Sequence, residues 1–166
     1  LKRERSKARY MGLSQEFISP KELGQRHPFI DPKHYYAALW DDQDGDLDIV
    51  SSGSSSDGVP VFRSYINDAG SLSVLEQEVE GVESSDLAWS DFDGDGDLDL
   101  AMGGISERGD LITEILVNTG EGDLTPLDGP TFPGIRGGDL VWGDFDNDRD
   151  QDLVISGNNG LKPILR

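Results

Sequence analysis

The sequence predicts an all-β fold made of repeated sheets, each of four short antiparallel strands. Three observations lead to this prediction: a segment recurs along the chain, apolar and polar residues alternate in short runs, and Gly-containing turns separate those runs. The recurring segments are YYAALWDDQDGDLDIVSSG (35–53), DLAWSDFDGDGDLDLAMGG (86–104) and DLVWGDFDNDRDQDLVISG (139–157). Their spacing gives a repeat of about 50 residues, which is typical of stacked sheet units.

The second copy divides most clearly into elements. A strand over 87–90 leads into an acidic loop, and a second strand follows over 98–102. A third strand over 112–118 ends in Asn and a Gly-containing turn, which is typical of a hairpin. The fourth strand is less well defined by its sequence. Four antiparallel strands in about 50 residues are typical of a β-propeller blade.

The repeats divide residues 35–166 into blades over about 35–82, 83–135 and 136–166. The third blade is expected to be truncated, because the final KPILR aligns with the start of a third strand. A closed propeller usually has at least about four blades, so the sequence predicts an incomplete propeller of about two and a half blades. Such a unit is either part of something larger or has open edges that a partner covers.

Residues 1–34 differ from the repeats and are predicted to form a basic arm. Residues 1–36 carry 8 Lys/Arg against 4 Asp/Glu, although the whole chain has a formal net charge of −19. The SPKE segment favours a short helix over 19–26, with Ser at the N-cap and Pro at the first helical position. Two alternatives stay open for the arm: a solvated tail, or a segment laid along a partner or along the acidic blades.

The large negative net charge of the chain excludes some classes of partner. A charge of −19 repels nucleic acid phosphates and anionic membrane surfaces, and no apolar run is long enough to span a membrane. We therefore expect protein partners, bound through the basic arm or the open blade edges, with no nucleic acid and no membrane insertion. The chain has no Cys, which excludes disulfides and thiolate metal sites.

The acidic loops carry the strongest functional signal. Aspartates stand at alternate positions, and carboxylates this crowded repel one another unless a cation joins them or some take up protons. Ca²⁺ accepts about six to eight oxygen ligands in flexible geometry, whereas Mg²⁺ requires a stricter octahedron, so Ca²⁺ is the predicted cofactor. The candidate ligands are Asp42, Asp44, Asp46 and Asp48 in the first loop, Asp91, Asp93, Asp95, Asp97 and Asp99 in the second, and Asp144, Asp146, Asp148, Asp150 and Asp152 in the third.

Two other interpretations compete with a propeller-type calcium loop. The first is a solvated acidic turn that binds no ion, but random acidity would not recur with the same phase and the same apolar flanks. The second is an EF-hand, which matches the first half of the second loop but requires a bidentate Glu where Met102 stands. The flanks also alternate as strands instead of repeating as helices, so the EF-hand is rejected.

The segments WSDFDGDGDLDLAMGG and WGDFDNDRDQDLVISG resemble FG-GAP/VCBS repeats, the blades of integrin α-subunit-like β-propellers. The resemblance covers about residues 35–166. It implies that each loop joins the first two strands of a blade and binds Ca²⁺ through side chains at its first, third, fifth and ninth positions and the carbonyl of its seventh. The implied ligands are Asp91, Asp93, Asp95 and Asp99 with the Asp97 carbonyl, and Asp144, Asp146, Asp148 and Asp152 with the Asp150 carbonyl.

Two departures from this pattern weaken the predicted calcium binding of the first and third loops. The first loop has Trp40 at its first position in place of Asp, which leaves Asp42, Asp44 and Asp48 with the Asp46 carbonyl, unless Asp41 shifts inward. The third loop has Arg149 where the second has Gly, which strains the turn if that position requires a positive φ. Calcium affinity is therefore expected to decrease from the second loop to the third to the first.

The sequence predicts a non-enzymatic module. No G-x-S-x-G, P-loop or H-E-x-x-H motif is present, and the only histidines, His27 and His34, lie in or beside the basic arm. Trp89 and Trp142, just before the loops, are predicted to pack in the blade cores. The predicted function is a calcium-binding module for protein–protein interaction, or a subunit of a larger assembly.

An alternative function and two settings stay open at this stage. The alternative is part of a carbohydrate-active or lipid-cleaving enzyme whose catalytic residues lie outside this sequence, because some enzymes carry similar propellers. The resemblance implies an extracytoplasmic location, either secreted or at the cell surface. An organelle lumen is the second setting considered.

Overall fold

The computed structural model describes residues 35–41, 48–68, 71–120, 122–159 and 163–165, with side chains described within 48–159. These ranges contain β-strands and turns and no helix, so none of their elements is an apolar helix that could span a membrane. The all-β prediction is confirmed. The basic arm over 1–34, its predicted helix over 19–26, and the first-loop residues Asp42, Asp44 and Asp46 lie outside the described residues.

The strands form three antiparallel sheets, and in each sheet consecutive strands are neighbours. The first sheet contains β1 (Tyr35–Asp41), β2 (Asp48–Ser54), β3 (Pro60–Asp68) and β4 (Ser71–Leu75). The second contains β5 (Val82–Ser90), β6 (Asp99–Ser106), β7 (Leu111–Asn118) and β8 (Leu124–Pro126). The third contains β9 (Arg136–Gly143), β10 (Asp152–Asn158) and β11 (Pro163–Leu165).

The strands of the second sheet are longer than the alternation of its sequence indicates. β5 begins at Val82. The sequence pattern does not show this start, because a bulge between Glu83 and Asp86 interrupts the pairing of β5 with β6 and breaks the alternation of apolar and polar residues. β6 continues to Ser106 through two consecutive glycines, which have low strand propensity. The poorly defined fourth strands are the short edge strands β4 and β8.

The register of the first hairpin corrects one prediction. Trp40 pairs with Ile49 in the first sheet, and Trp89 pairs with Leu100 in the second, one residue away from the paired loop ends in each case. Trp40 is therefore the strand equivalent of Trp89, and its placement at the first position of the loop is wrong. The reason is the length of the loop, since the segment between β1 and β2 (42–47) is shorter than the segment between β5 and β6 (91–98). When the last aspartates of the two loops are matched without a gap, the residues before the first loop are matched to the wrong residues of the second repeat.

The second sheet lies between the other two and is buried on both faces. One apolar cluster joins it to the first sheet and a second cluster joins it to the third. Successive residues of a strand point to opposite faces, so Leu100 and Met102 enter the first cluster and Ala101 enters the second. Trp142 is buried in the second cluster, and Trp89 packs partly buried against the first, as predicted.

Specific polar and aromatic contacts fix the third sheet against the second. The Leu140 amide donates to the Asp86 carboxylate at 2.6 Å, and the Trp142 indole N–H donates to the Ala88 carbonyl at 3.0 Å. The Phe92 ring, just after β5, stacks on the Trp142 ring with centroids 5.6 Å apart. The beginning of the second acidic loop is therefore also part of the contact between sheets.

The connections between sheets cross the preceding sheet at glycines. Gly81 lies just before β5, where an added Cβ would be 2.5 Å from the Val61 Cα of β3. Gly134 lies just before β9, where an added Cβ would be 1.8 Å from the Leu111 carbonyl oxygen of β7. In both places the chain passes over the start of a third strand with no room for a side chain.

Candidate metal centres

The two described acidic loops occupy the same place in their sheets. Each loop connects the first strand of its sheet to the second, β5 to β6 and β9 to β10. The last aspartate of each loop, Asp99 or Asp152, is the first residue of the second strand. Asp99 has no exposed surface, whereas Asp152 is partly exposed.

Three carboxylates converge in each described loop. One oxygen of each of Asp91, Asp93 and Asp99 lies within 4.8 Å of the other two. The same limit holds for Asp144, Asp146 and Asp152 in the third sheet. In both described loops, therefore, the carboxylates at the first, third and ninth positions lie close enough together for one divalent ion to bridge them.

Hydrogen bonds from the backbone amides of the fifth- and seventh-position residues shape the turn of each described loop. The Asp95 amide donates to Asp93 Oδ1 at 3.2 Å, and the Asp97 amide donates to Asp95 Oδ1 at 2.9 Å. Asp146, Asp148 and Asp150 repeat this pattern of bonds in the third loop. Each bond closes a turn from a carboxylate to an amide two residues on, which curls the loop. The fifth- and seventh-position carboxylates, Asp95, Asp97, Asp148 and Asp150, stand outside the converging trios.

The buried Asp99 links the loop to the third strand. Its Oδ1 accepts the Asn118 amide at 2.9 Å, and its Oδ2 accepts the Phe92 amide at 3.2 Å. In the first sheet, Asp48 accepts the Asn67 amide in the same way at 2.8 Å. Sequence reasoning placed these Asn residues only before a turn. An Asn recurs at this position in both repeats, and that recurrence is the sequence signal that could have indicated the contact of its amide with the last aspartate of the loop.

The electrostatics of the second loop favour an added positive charge. Burial raises the pKa of Asp99, the amide bonds from Asn118 and Phe92 lower it, and the charges of Asp93 and Asp95 raise it, with a net upward shift. Asp91 Oδ1 is buried and has no hydrogen-bond partner among the described residues. A cation held by these groups would stabilise the charged Asp99 and would give the Asp91 oxygen a partner.

The third loop is more exposed, and its carboxylates compete for protons. The Asp148 amide lowers the pKa of Asp146, but desolvation and the charges of Asp148 and Asp152 outweigh it, so the net shift is upward. The pKa of Asp148 is lowered, first by its hydrogen bond from the Asp150 amide. Its openness makes this loop the weaker candidate of the two.

The expected strain at Arg149 is confirmed by the backbone. Arg149 has φ of 83°, and the equivalent Gly96 has φ of 100°. A side chain at positive φ is unfavourable, whereas glycine adopts it freely. The third loop therefore carries a conformational cost that the second does not.

Replacing Arg149 by Gly is expected to stabilise the fold by about 1 kcal/mol, because the strained residue disappears. Denaturant unfolding measures the gain. Arg149→Ala is the matched control, since it removes the same charge but keeps a Cβ at positive φ. Equal stability of the two variants would refute strain as the cause.

A carboxylate away from the loops gives a prediction of pH dependence. Burial on β7, followed by the charge of Glu80, raises the pKa of Glu114 above 4.5. A raised folded pKa means that stability is lost as pH rises from 4.5 through the folded value. Glu114→Gln should therefore stabilise the chain at pH 7, and this gain should disappear below pH 4.5. Denaturant unfolding at pH 7 and at a pH below 4.5 tests this prediction, with the exposed Glu107→Gln as the control variant. A stabilisation by Glu114→Gln of the same size at both pH values would contradict it.

A family model for FG-GAP-like repeats matches residues 91–155. The match begins at Asp91, the first residue of the second loop, and ends in β10, so it contains both described loops. No curated protein and no solved structure shows a significant match to the chain. FG-GAP-like repeats are β-propeller blades, in agreement with the successive antiparallel sheets. Residues 91–155 are therefore an FG-GAP-like repeat segment, and the antiparallel sheets that contain it are β-propeller-type blades.

Proposed function

We propose that this chain is a calcium-binding β-propeller module for protein–protein interaction, either as a partner-binding domain or as a subunit of a larger assembly. The observation that carries the calcium part is the convergence of three carboxylates in each described loop, with one of them, Asp99, fully buried. Like charges this close destabilise a fold unless something compensates them. A bound cation is the simplest compensation.

The donor set fits Ca²⁺ better than other metals. The second and third loops offer only oxygen donors, since neither contains Cys or His. Asp91, Asp93 and Asp99 would hold the ion in the second loop, with the Asp95 side chain and the Asp97 carbonyl as the further ligands that the family pattern implies. In the third loop, Asp144, Asp146, Asp148, Asp152 and the Asp150 carbonyl are the equivalent set. The ion would supply charge neutralisation and a fixed anchor for the loop.

An ion in the second loop would connect several strands at once. Asp91 follows the end of β5, Asp99 begins β6, and Asp99 also holds the Asn118 amide at the end of β7. Binding there would stabilise three strands of one sheet through a single centre. We propose the order of affinity second, third, first, because Asp152 is more exposed, Arg149 strains its loop, and the first loop is shorter.

The interaction role is supported by the repeat type. FG-GAP-like repeats are typically non-catalytic and typically extracellular. We propose that this chain is likewise non-enzymatic and works in an extracytoplasmic setting, either secreted, at the cell surface or in an organelle lumen. Extracellular calcium modules commonly bind with Kd of about 0.1–1 mM, so moderate affinity would suffice outside the cytoplasm.

Titration calorimetry of the full chain with CaCl₂ tests the calcium part. We expect binding, with the tightest site removed by Asp93→Asn and a weaker site removed by Asp146→Asn. Asp97→Asn and Asp150→Asn are the matched controls, since they remove the same charge from the same loops but lie outside the converging trios. Absence of calcium heat up to about 10 mM, well above the usual Kd of extracellular modules, would refute the proposal.

A further inference from the structure

The outer edge of β7 is only partly covered by β8. β8 pairs with the last part of β7, and the final contact there is a bond from the Leu127 amide to the Ile115 carbonyl at 2.8 Å. The chain then leaves the sheet and returns to β7 at Gly134, which lies against the Leu111 carbonyl. Between these two contacts, the first half of β7 and the segment 126–132 line an open groove, which we call the β7 groove.

One residue of β7 directs unpaired backbone groups into the β7 groove. The amides and carbonyls of successive strand residues point alternately to the two edges of a strand. Because the Ile115 carbonyl points to the β8 edge, the amide and the carbonyl of Thr113 point to that edge as well. β8 ends before it reaches Thr113, so no described strand pairs with these two groups. An extended segment can therefore exchange two hydrogen bonds with Thr113, as a neighbouring strand would.

The Thr113 side chain adds an unpaired polar group to the β7 groove. Thr113 lines the groove and is only 6 % exposed, yet its hydroxyl has no hydrogen-bond partner among the described residues. A buried hydroxyl without a partner is unfavourable. Residues directly opposite each other in paired strands place their side chains on one face, where Thr–Thr and Thr–Ser pairs form hydrogen bonds. A Ser or Thr opposite Thr113 would therefore satisfy this hydroxyl.

The next residue of β7 makes the groove acidic. Glu114 lines the groove and is partly buried, and the residues that line it include no Lys or Arg. Burial and the charge of the exposed Glu80 both disfavour the charged form of Glu114. A cationic group placed beside Glu114 would offset both effects.

The dimensions of the β7 groove fit a short peptide segment. Its volume of about 240 Å³ lies below the roughly 300–1,000 Å³ of sites for drug-sized ligands. The contacts that bound it, at Leu111 and Ile115, are four residues apart on β7, which corresponds to about 13 Å. An extended segment of about three residues fits this length, so a loop tip or a chain end of a protein is the expected ligand.

We propose that the β7 groove binds an extended segment of a partner protein in which Lys or Arg directly precedes Ser or Thr. The Ser or Thr would lie opposite Thr113 and exchange both backbone hydrogen bonds with it. In an antiparallel pair the preceding residue then lies opposite Glu114, which places the basic side chain beside that carboxylate. This inference rests on the interaction role proposed above and names the chemistry of the partner, but it does not depend on the calcium sites.

Amide NMR spectra of the isotope-labelled full chain in CaCl₂ test the proposal with short peptides. The probe is acetyl-Ala-Lys-Ser-Ala-amide. We expect a saturable shift of the Thr113 amide with a Kd on the order of 1 mM, as suits a few hydrogen bonds and one ion pair. One control peptide reverses the central pair to Ser-Lys, and the other replaces Lys by norleucine, which keeps the aliphatic stem without the charge. Both should bind at least about tenfold more weakly.

Two variants of the chain test the assigned contacts. Glu114→Gln should weaken binding of the Lys-Ser peptide at least about tenfold, whereas the exposed Glu107→Gln should leave it unchanged. Glu114→Gln is expected to stabilise the fold, so its loss of binding would not reflect unfolding. Thr113→Val removes the hydroxyl and keeps the backbone amide, so it should abolish the preference for a Lys-Ser peptide over a Lys-Ala peptide.

Three results would overturn the proposal. They are equal binding of the norleucine peptide, equal binding of the reversed peptide, and the absence of a saturable shift up to about 10 mM peptide. Calcium binding in calorimetry without a peptide shift would refute the groove alone and leave the calcium part of the proposed function standing. A peptide shift at Thr113 without calcium binding would do the reverse.

Discussion

Saturating Ca²⁺ is expected to raise the unfolding temperature of this chain relative to EDTA, and Asp93→Asn is expected to remove most of the gain from the second loop. Binding to the folded state alone contributes about 2.7 kcal/mol per site at a hundredfold excess over Kd. For a chain of this size, that corresponds to roughly 5–10 °C. Circular dichroism melting in CaCl₂ and in EDTA measures the difference.

The matched control is Asp97→Asn, whose carboxylate lies outside the trio of Asp91, Asp93 and Asp99. It removes one negative charge from the same loop, so it should keep the calcium-dependent shift. If Asp93→Asn and Asp97→Asn lose the shift equally, general charge neutralisation explains the effect and a specific site does not. An identical melting temperature in CaCl₂ and EDTA would contradict the prediction outright.

Gly134→Ala is expected to destabilise the fold by about 3 kcal/mol or more, because its Cβ would overlap backbone that cannot move aside. The added atom would lie 1.8 Å from the Leu111 carbonyl oxygen and 2.8 Å from the Ile112 nitrogen. Relief requires that the connection between the second and third sheets lift away from β7. Urea unfolding at equilibrium measures the loss.

Gly109→Ala separates this steric effect from the ordinary cost of replacing glycine. Gly109 has φ of +83° in the turn between β6 and β7, and an added Cβ there would meet nothing within 4 Å. Its substitution should cost about 1 kcal/mol through backbone conformation alone. Equal losses for Gly109→Ala and Gly134→Ala would show that the crossing is not tightly packed.

The repeat made the second sheet predictable in some detail. Alternating apolar residues around the acidic loop identified β5, β6 and β7, and the buried Trp142 followed from its place before the loop. These features depend on local pattern, which a single sequence carries directly. The strained φ of Arg149 was predictable for the same reason, since a glycine occupies the equivalent position of the second loop.

Other features depend on pairing between distant residues, which no local pattern reveals. The position of Trp40 was misjudged because the length of the first loop, set by the pairing of β1 with β2, fixes which residues are equivalent. The bond from the Asn118 amide to Asp99 joins residues far apart in sequence. The bulge in β5 and the glycine crossing at Gly134 likewise became evident only with the sheets in place.

The central claim is that a calcium ion compensates the converging carboxylates of the second loop. Anomalous diffraction from crystals of the full chain grown in CaCl₂ tests it most directly. The account predicts an anomalous peak among Asp91, Asp93 and Asp99, with oxygen ligands at about 2.3–2.6 Å. Clear density for the loop with no anomalous peak there, at saturating calcium, would contradict it.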